Sequence, residues 1–296
     1  MLDYKHIEAL ATVVMEGGFE RAARKLRLTQ SAVSQRVKQL EEQSGQILLI
    51  RTTPPKATAA GQRVLKHYLQ VQRLEEDLLD DFSAVPGEDF AVLPIGINDD
   101  SLATWFLEAV SLFLQAEKVL LDLRTDDQEQ TQRLLKIGKV VGCISSNKQP
   151  IQGCRVDYLG TMNYRLLSTP AYAEKWFPQG LSPESVVRAP AILFSRKDEL
   201  QAKLFRRIFP DPPSKIPTHY FPSSEKFVDF ITLGLAYGML PDVQSKPLLK
   251  SGRLIELAPA GPVPIKLYWH CWNLKSRLLN RFTTNLVKQA KSVLDA

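Results

Sequence analysis

The 296-residue chain reads as an α/β protein made of an N-terminal winged helix-turn-helix, one long helix and a two-lobed α/β domain. Three observations predict this. Two short amphipathic helical patterns joined by a tight turn precede a short hairpin pattern, all within residues 19–58. A proline-free stretch with one apolar stripe then runs from Thr58 to about Phe82. Beyond a Pro-Gly break, apolar strand patterns alternate with helical ones to the end of the chain.

In the first part, Ala22, Ala23 and Leu26 share one face of a short helix that Leu28 closes. Thr29 follows as an N-cap, because its hydroxyl can accept from the open amides of the next turn. The next helix is expected over Gln30 to Glu42, with Val33, Val37 and Leu40 on its buried face and Ala32 small enough for close helix approach. Its other face carries Gln30, Ser31, Ser34, Gln35 and Lys38, with Arg36 at the edge. These side chains offer short donors and acceptors for base edges and cations for phosphates. A merely solvated face is usually rich in Glu and Lys, whereas no acid occurs between Gln30 and Gln39. Leu48 to Arg51 predicts a short strand, Thr52 to Lys56 a turn, and Ala57-Thr58 the return. This is a wing, with Arg51, Thr53 and Lys56 placed for backbone phosphates. Gly61 then falls in the first turn of the following helix.

Charge is distributed to match. The net charge is +6, but residues 1–66 carry +5 and residues 67–89 carry −6, leaving +7 spread over residues 90–296. A basic head favours DNA through phosphate attraction. The acidic stretch is repelled by DNA and is expected to point away from it. No apolar run approaches the ~20 residues that span a bilayer, and MLDYKHIEAL lacks a signal-peptide core. A cytoplasmic protein without a membrane partner is expected. Cys143, Cys154 and Cys271 are odd in number and widely spaced, so free thiols are expected. His6, His67, His219 and His270 show no ligand spacing, and neither a metal nor another cofactor is expected.

In the long helix, Val64, Tyr68, Val71, Leu74 and Leu78 recur at intervals of three or four. The stripe suits either packing on the chain's own domain or a dimer coiled coil; the second is favoured because the helix runs on beyond a complete domain. Ser83 to Asp89 contains Pro86-Gly87, which stops the helix. The expected division is therefore 1–58 for DNA binding, 59–89 for the dimerisation helix and hinge, and 90–296 for the two-lobed domain.

That last part opens with a strand over Val92 to Ile97, a helix over Leu102 to Leu114, a strand over Val119 to Leu123, a helix over Gln128 to Ile137 and a strand over Val140 to Ile144. Tyr164–Ser168, Ala191–Phe194, Tyr237–Leu240 and Ile265–Trp272 are further strands, and Arg277 to Leu294 is a closing helix. Repeated β-α units predict a mostly parallel sheet with helices on both faces. No phosphate-binding glycine loop is present. In open α/β sheets, ligands bind beyond strand ends, where helix N-termini offer free amides. Two segments fit: Asn98-Asp99-Asp100-Ser101, leading into Thr104 and Trp105, with Ser101 as an N-cap, and Ser223-Ser224-Glu225, which opens a helix over Lys226 to Leu233 and is equally an ordinary capping sequence. Acids collect near these ends: Asp99, Asp100, Asp126, Asp127, Asp198 and Glu225. Together they suggest a pocket for a ligand with a carboxylate at one end and a remote amine at the other, the shape of lysine and arginine.

Ala22-Ala23, Leu26, Thr29-Gln30-Ser31-Ala32-Val33-Ser34, Leu40-Glu41, Gly45, Leu48, Arg51, Thr58 and Gly61 resemble the N-terminal signature of LysR-type transcriptional regulators. GFERAA, LIRTTPP, NDDSLATWFL, TQRLL, VVGCIS, AEKWFP, SSEKFV and LYWH are similar to the arginine/lysine-export regulator subfamily, nearly along the whole length. The resemblance implies an effector domain of periplasmic-binding-protein type and a homodimer or dimer of dimers. It further implies operator DNA and a small effector, lysine or arginine, as partners, RNA polymerase as a candidate third, and a basic amino-acid exporter gene as target. Two other readings remain open: an architectural DNA-binding protein without an effector, and a LysR-type regulator with a different effector. No nucleophile elbow, metal spacing or paired catalytic acids point to an enzyme.

Overall fold

The computed structural model describes residues 3–82, 90–125, 128–258 and 260–295. Three helices open the chain: α1 (Tyr4–Glu16), α2 (Phe19–Leu26) and α3 (Gln30–Ser44). Asp3 caps α1 by accepting from the Lys5 amide, and Thr29 caps α3 by accepting from the Ala32 amide at 3.2 Å. Val33, Val37 and Leu40 of α3 are fully buried against Ile7, Leu10, Ala22 and Ala23. The wing is the antiparallel pair β1 (Leu49–Ile50) and β2 (Lys56–Ala57), with Ile50 opposite Lys56. It is tied to α3 by the Glu41 carboxylate, which accepts from the Leu48 and Leu49 amides at 2.8 and 3.1 Å. Gly61, in the first turn of α4 (Ala59–Phe82), lies so close to the wing that a Cβ there would meet the Leu48 carbonyl oxygen at 2.0 Å.

α4 leaves this unit and lies on the next. Lys66 Nζ donates to the Gln152 carbonyl at 3.4 Å. Arg73 is buried and pairs with Glu76 and Asp77. The Asp77 carboxylate also accepts from the Arg277 amide at 3.1 Å. Leu74 and Leu78 of the expected stripe remain exposed, whereas Tyr68 is buried. The break at Ser83–Asp89 lies outside the described residues.

The two-lobed domain begins with β3 (Ala91–Ile97), α5 (Asp99–Ser101), a π-helical turn (Leu102–Phe106) and α6 (Leu107–Ala116), which together make one helix interrupted by the wider turn. β4 (Val119–Thr125), α7 (Gln128–Lys136) and β5 (Gly142–Ser145) complete the first β-α-β set. β6 (Cys154–Ser168) crosses to the second lobe, which holds α8 (Pro170–Trp176), α9 (Pro183–Val186), β7 (Ala191–Leu193) and α10 (Leu200–Ile208). It continues with β8 (Thr218–Tyr220), α11 (Ser224–Thr232), β9 (Gly238–Pro241), α12 (Asp242–Lys250) and β10 (Ile255–Glu256). β11 (Val263–Trp272) returns to the first lobe, where α13 (Arg277–Val293) closes the fold.

The large sheet runs β10-β6-β11-β5-β3-β4, with β9 on β6. β3 pairs in parallel with β4 and β5, and β7 with β8. β11 is antiparallel to β5 and β6, and β6 to β9 and β10. The expectation of a mostly parallel sheet is therefore corrected. Crossover helices make neighbouring strands parallel inside each lobe, but the chain crosses between lobes on β6 and comes back on β11, and two such strands run in opposite directions. Trp105, Phe106, Trp269, Trp272 and Phe282 fill the first-lobe side of the core. Ile192, Phe227, Ile231 and Leu240 form a separate cluster in the second lobe. Among the described residues, no helix is long and apolar enough to cross a membrane.

Candidate functional sites: a DNA-facing head and an interlobe cavity

The outward face of α3 presents Gln30, Ser31, Gln35 and Lys38 as exposed side chains, with Ser34 and Arg36 half-buried. Thr29 is exposed and its hydroxyl lies 3.0 Å from that of Ser31. Lys38 reaches Glu42 at 3.6 Å, a surface pair worth little against a phosphate. On the wing, Arg51, Thr53 and Lys56 are all exposed. The Arg51 guanidinium sits over the Phe19 ring, 5.6 Å from its centroid, which holds the cation beside the start of α2. A concavity of about 610 Å³ brings Gln30, Arg51 and Thr53 together with Arg21 and Arg24. Sequence reasoning missed these last two arginines; their spacing on one exposed face of α2 was the available signal. The first turn of α3 holds no acid, so its amide-rich end meets an anion without competition from its own turn.

The second site is a cavity of about 460 Å³ between the lobes. Asn98, Asp99 and Asp100 reach it from the first lobe, at the start of α5. Ser224 and Phe227 of α11, Gln244 of α12 and the segment Phe194 to Lys203 reach it from the second, and Tyr164 of β6 stands between. Across the cleft, the Ser224 amide donates to Asp99 Oδ2 at 2.6 Å and the Ser224 hydroxyl to Asp100 Oδ1 at 2.5 Å. The Tyr164 hydroxyl donates to Asp100 Oδ2 at 2.6 Å. Burial above all, and then the neighbouring Asp198 and Asp99 charges, push the Asp100 carboxyl above the usual carboxylate range; the two hydroxyl donors pull the other way. Burial likewise pushes Tyr164 well up, helped by the Asp100 charge beside it, so it stays a neutral donor.

Asp198 lies close enough to act on Asp100, but its own oxygens accept from the Phe194 and Leu200 amides at 3.2 and 3.0 Å. Asn98 Oδ1 and Gln244 Oε1, both buried, have no hydrogen-bond partner among the described residues. The first-lobe wall thus carries two carboxylates, and two residues of the lining keep a buried amide oxygen without a partner among the described residues.

Of the residues expected here, Asn98, Asp99, Asp100, Asp198 and Ser224 come together on the cavity wall. Ser101, Thr104 and Trp105 do not. The helix begins at Asp99 rather than Leu102, which puts Ser101 inside it; the N-cap position falls to Asn98. Ser101 and Trp105 are fully buried, and the Thr104 hydroxyl donates back to the Asp100 carbonyl. Glu225 is exposed and points away from the lining. The capping alternative for Ser223-Ser224-Glu225 does not form through side chains: Ser223 makes no side-chain cap bond, and the Ser224 hydroxyl is spent on Asp100. Asp126 and Asp127 lie outside the described residues. Cys143, Cys154 and Cys271 are free thiols.

A winged helix-turn-helix coupled through a long helix to a two-lobed domain with an interlobe cavity defines a DNA-binding regulator governed by a small effector. Comparison with known proteins agrees. The family described as "Bacterial regulatory helix-turn-helix protein, lysR family" matches residues 4–62, and "LysR substrate binding domain" matches residues 87–292. The HTH-type transcriptional regulator ArgP of Pseudomonas fluorescens (strain Pf0-1) is 42% identical over 294 residues, covering 98% of this chain and 97% of its own. The crystal structure of ArgP from Mycobacterium tuberculosis superposes with a TM-score of 0.93 at 35% identity, covering 100% of both chains. Full-length LysG from Corynebacterium glutamicum with bound effector Arg gives 0.86 at 33% identity, covering 99% of this chain and 100% of that one. The chain belongs to the LysR family of transcriptional regulators.

Proposed function

We propose that this regulator senses a basic amino acid, arginine or lysine, and controls a gene for its export. The observation that carries the effector reading is the inner wall of the cavity. Asp99 Oδ1 has no partner among the described residues once Oδ2 has taken the Ser224 amide, and Asp100 lines the same cavity beside it. Guanidinium and ammonium groups are pure donors and match such a wall. The arginine named as effector of the similar LysG structure supports the same reading. The exporter target rests on the resemblance of the sequence to arginine/lysine-export regulators.

On DNA, Arg51, Lys56, Lys38 and Arg36 take phosphates, while Gln30, Ser31, Ser34 and Gln35 read base edges, Thr29 and Thr53 flanking them. The working unit is a homodimer or a dimer of dimers acting with RNA polymerase at the promoter. An effector that binds one lobe arrangement better than another shifts the balance between them, and through α4 the setting of the recognition helices. Footprinting on the region upstream of a basic amino-acid exporter gene tests this. A discrete, roughly palindromic protected site whose extent or affinity changes with arginine or lysine is expected. Broad coverage indifferent to both amino acids refutes it in favour of an architectural protein.

A further inference from the structure

The cavity also holds cations. Lys197, in the loop after β7, and Lys203, in the first turn of α10, line it from the second lobe, and both are exposed. Among the described residues neither ammonium group makes an ion pair or a hydrogen bond. Their surroundings explain why they matter. Two of the helices that begin at the cavity have their first amides already taken by the chain's own carboxylates: Ser224 of α11 by Asp99, and Leu200 of α10 by Asp198. A ligand carboxylate therefore finds neither of these amides free. The nearby Glu199 is turned to Arg206 at 3.4 Å. The cationic side chains in the described lining are Lys197 and Lys203.

We infer that the effector's carboxylate is held at the exposed side of the cavity by Lys197 and Lys203, with its cationic end seated inward against Asp99 and Asp100. This rests on the reading of the effector as a basic amino acid and adds its orientation and its carboxylate anchor. Such a ligand joins the lobes: its cation is bound by the first and its carboxylate by the second. A diamine or an amino-acid amide satisfies the inner wall but not the lysines, so the pair sets selectivity for the free amino acid.

The test compares calorimetric binding of arginine and argininamide, which differ only at the carboxylate, to the full-length protein and to its Lys197→Gln/Lys203→Gln variant. The wild type is expected to bind arginine about tenfold more tightly than argininamide, as fits one charge-assisted contact. The variant should lose about tenfold for arginine while its affinity for argininamide stays within about twofold. Both positions are exposed, so an unchanged melting temperature shows that the fold is intact. Undiminished or tighter arginine binding by the variant, or equal losses for both ligands, overturns the orientation while leaving the basic effector in place. If the wild type binds neither arginine nor lysine, the effector reading itself falls, and this inference with it.

Discussion

Replacing Asp100 with Asn should separate the stability of this protein from its affinity for effector. In the structure Asp100 accepts two hydroxyls, from Ser224 and Tyr164, and stands within the fields of Asp198 and Asp99. Its pKa in the fold is raised, chiefly by burial. A carboxyl whose folded pKa lies above its unfolded value stabilises the fold only while protonated, and that contribution is lost as pH rises through the folded pKa. Above that pKa the ionised group therefore weakens the empty protein. The amide introduced by Asp100→Asn carries no charge, keeps a carbonyl for one hydroxyl and offers N–H to the other. The variant should hold the melting temperature within about 3 °C of wild type, the shift that ~1 kcal/mol produces in a domain of this size, or raise it. If the effector is the proposed cation, the same change removes the carboxylate it would face, a loss of about 2–5 kcal/mol. That lowers arginine affinity by roughly 30-fold or more. Calorimetry and thermal unfolding on one preparation give both numbers. Arginine affinity within about threefold of wild type, or a melting temperature falling by more than about 6 °C together with the affinity, refutes the reasoning.

Three further outcomes follow from the same geometry. Arginine binding should release protons, because a bound cation lowers the raised Asp100 pKa; affinity should climb with pH up to the Asp100 pKa of the empty protein and level off above it. Titrations in buffers of different ionisation enthalpy check this below that plateau, and Asp100→Asn should abolish the proton release. If the exposed wing Arg51, held over Phe19, serves phosphates as proposed, Arg51→Gln should weaken specific and random DNA about equally and flatten the salt dependence by about one unit of slope; a changed sequence preference argues against that role. Gly61→Ala should destabilise the DNA-binding head by about 1–3 kcal/mol, because its Cβ meets the Leu48 carbonyl. Chemical denaturation followed at the head, with arginine binding as a control, reads that loss.

The head was legible because its signals are local. Thr29, Val33, Val37 and Leu40 fall within twelve residues, and cap, spacing and buried face agree with the structure. The start of the first-lobe helix was misplaced at Leu102 because Asp99 and Asp100 read as loop acids, although acids in a first turn favour a helix start. β6 was recognised only from Tyr164, since Asp157, Gly160 and Asn163 interrupt its apolar pattern. The cavity was half legible. Carboxylates at separate strand ends pointed to a cation, but the bonds that close the cleft join Asp99 and Asp100 to Ser224, 125 and 124 residues away. Tyr164 was read only as the start of a strand, and nothing local singles out Lys197 and Lys203. Only the crossing of the chain between lobes brings these onto one wall.

The most direct test of the account is calorimetric titration of the full-length protein with arginine and lysine, beside glutamine and phenylalanine as neutral and aromatic controls. Saturable binding of only the basic amino acids, weakened about 30-fold or more by Asp100→Asn, is the result expected of an acceptor-lined cavity. Binding of glutamine or phenylalanine with equal strength, or of none of the four, contradicts it.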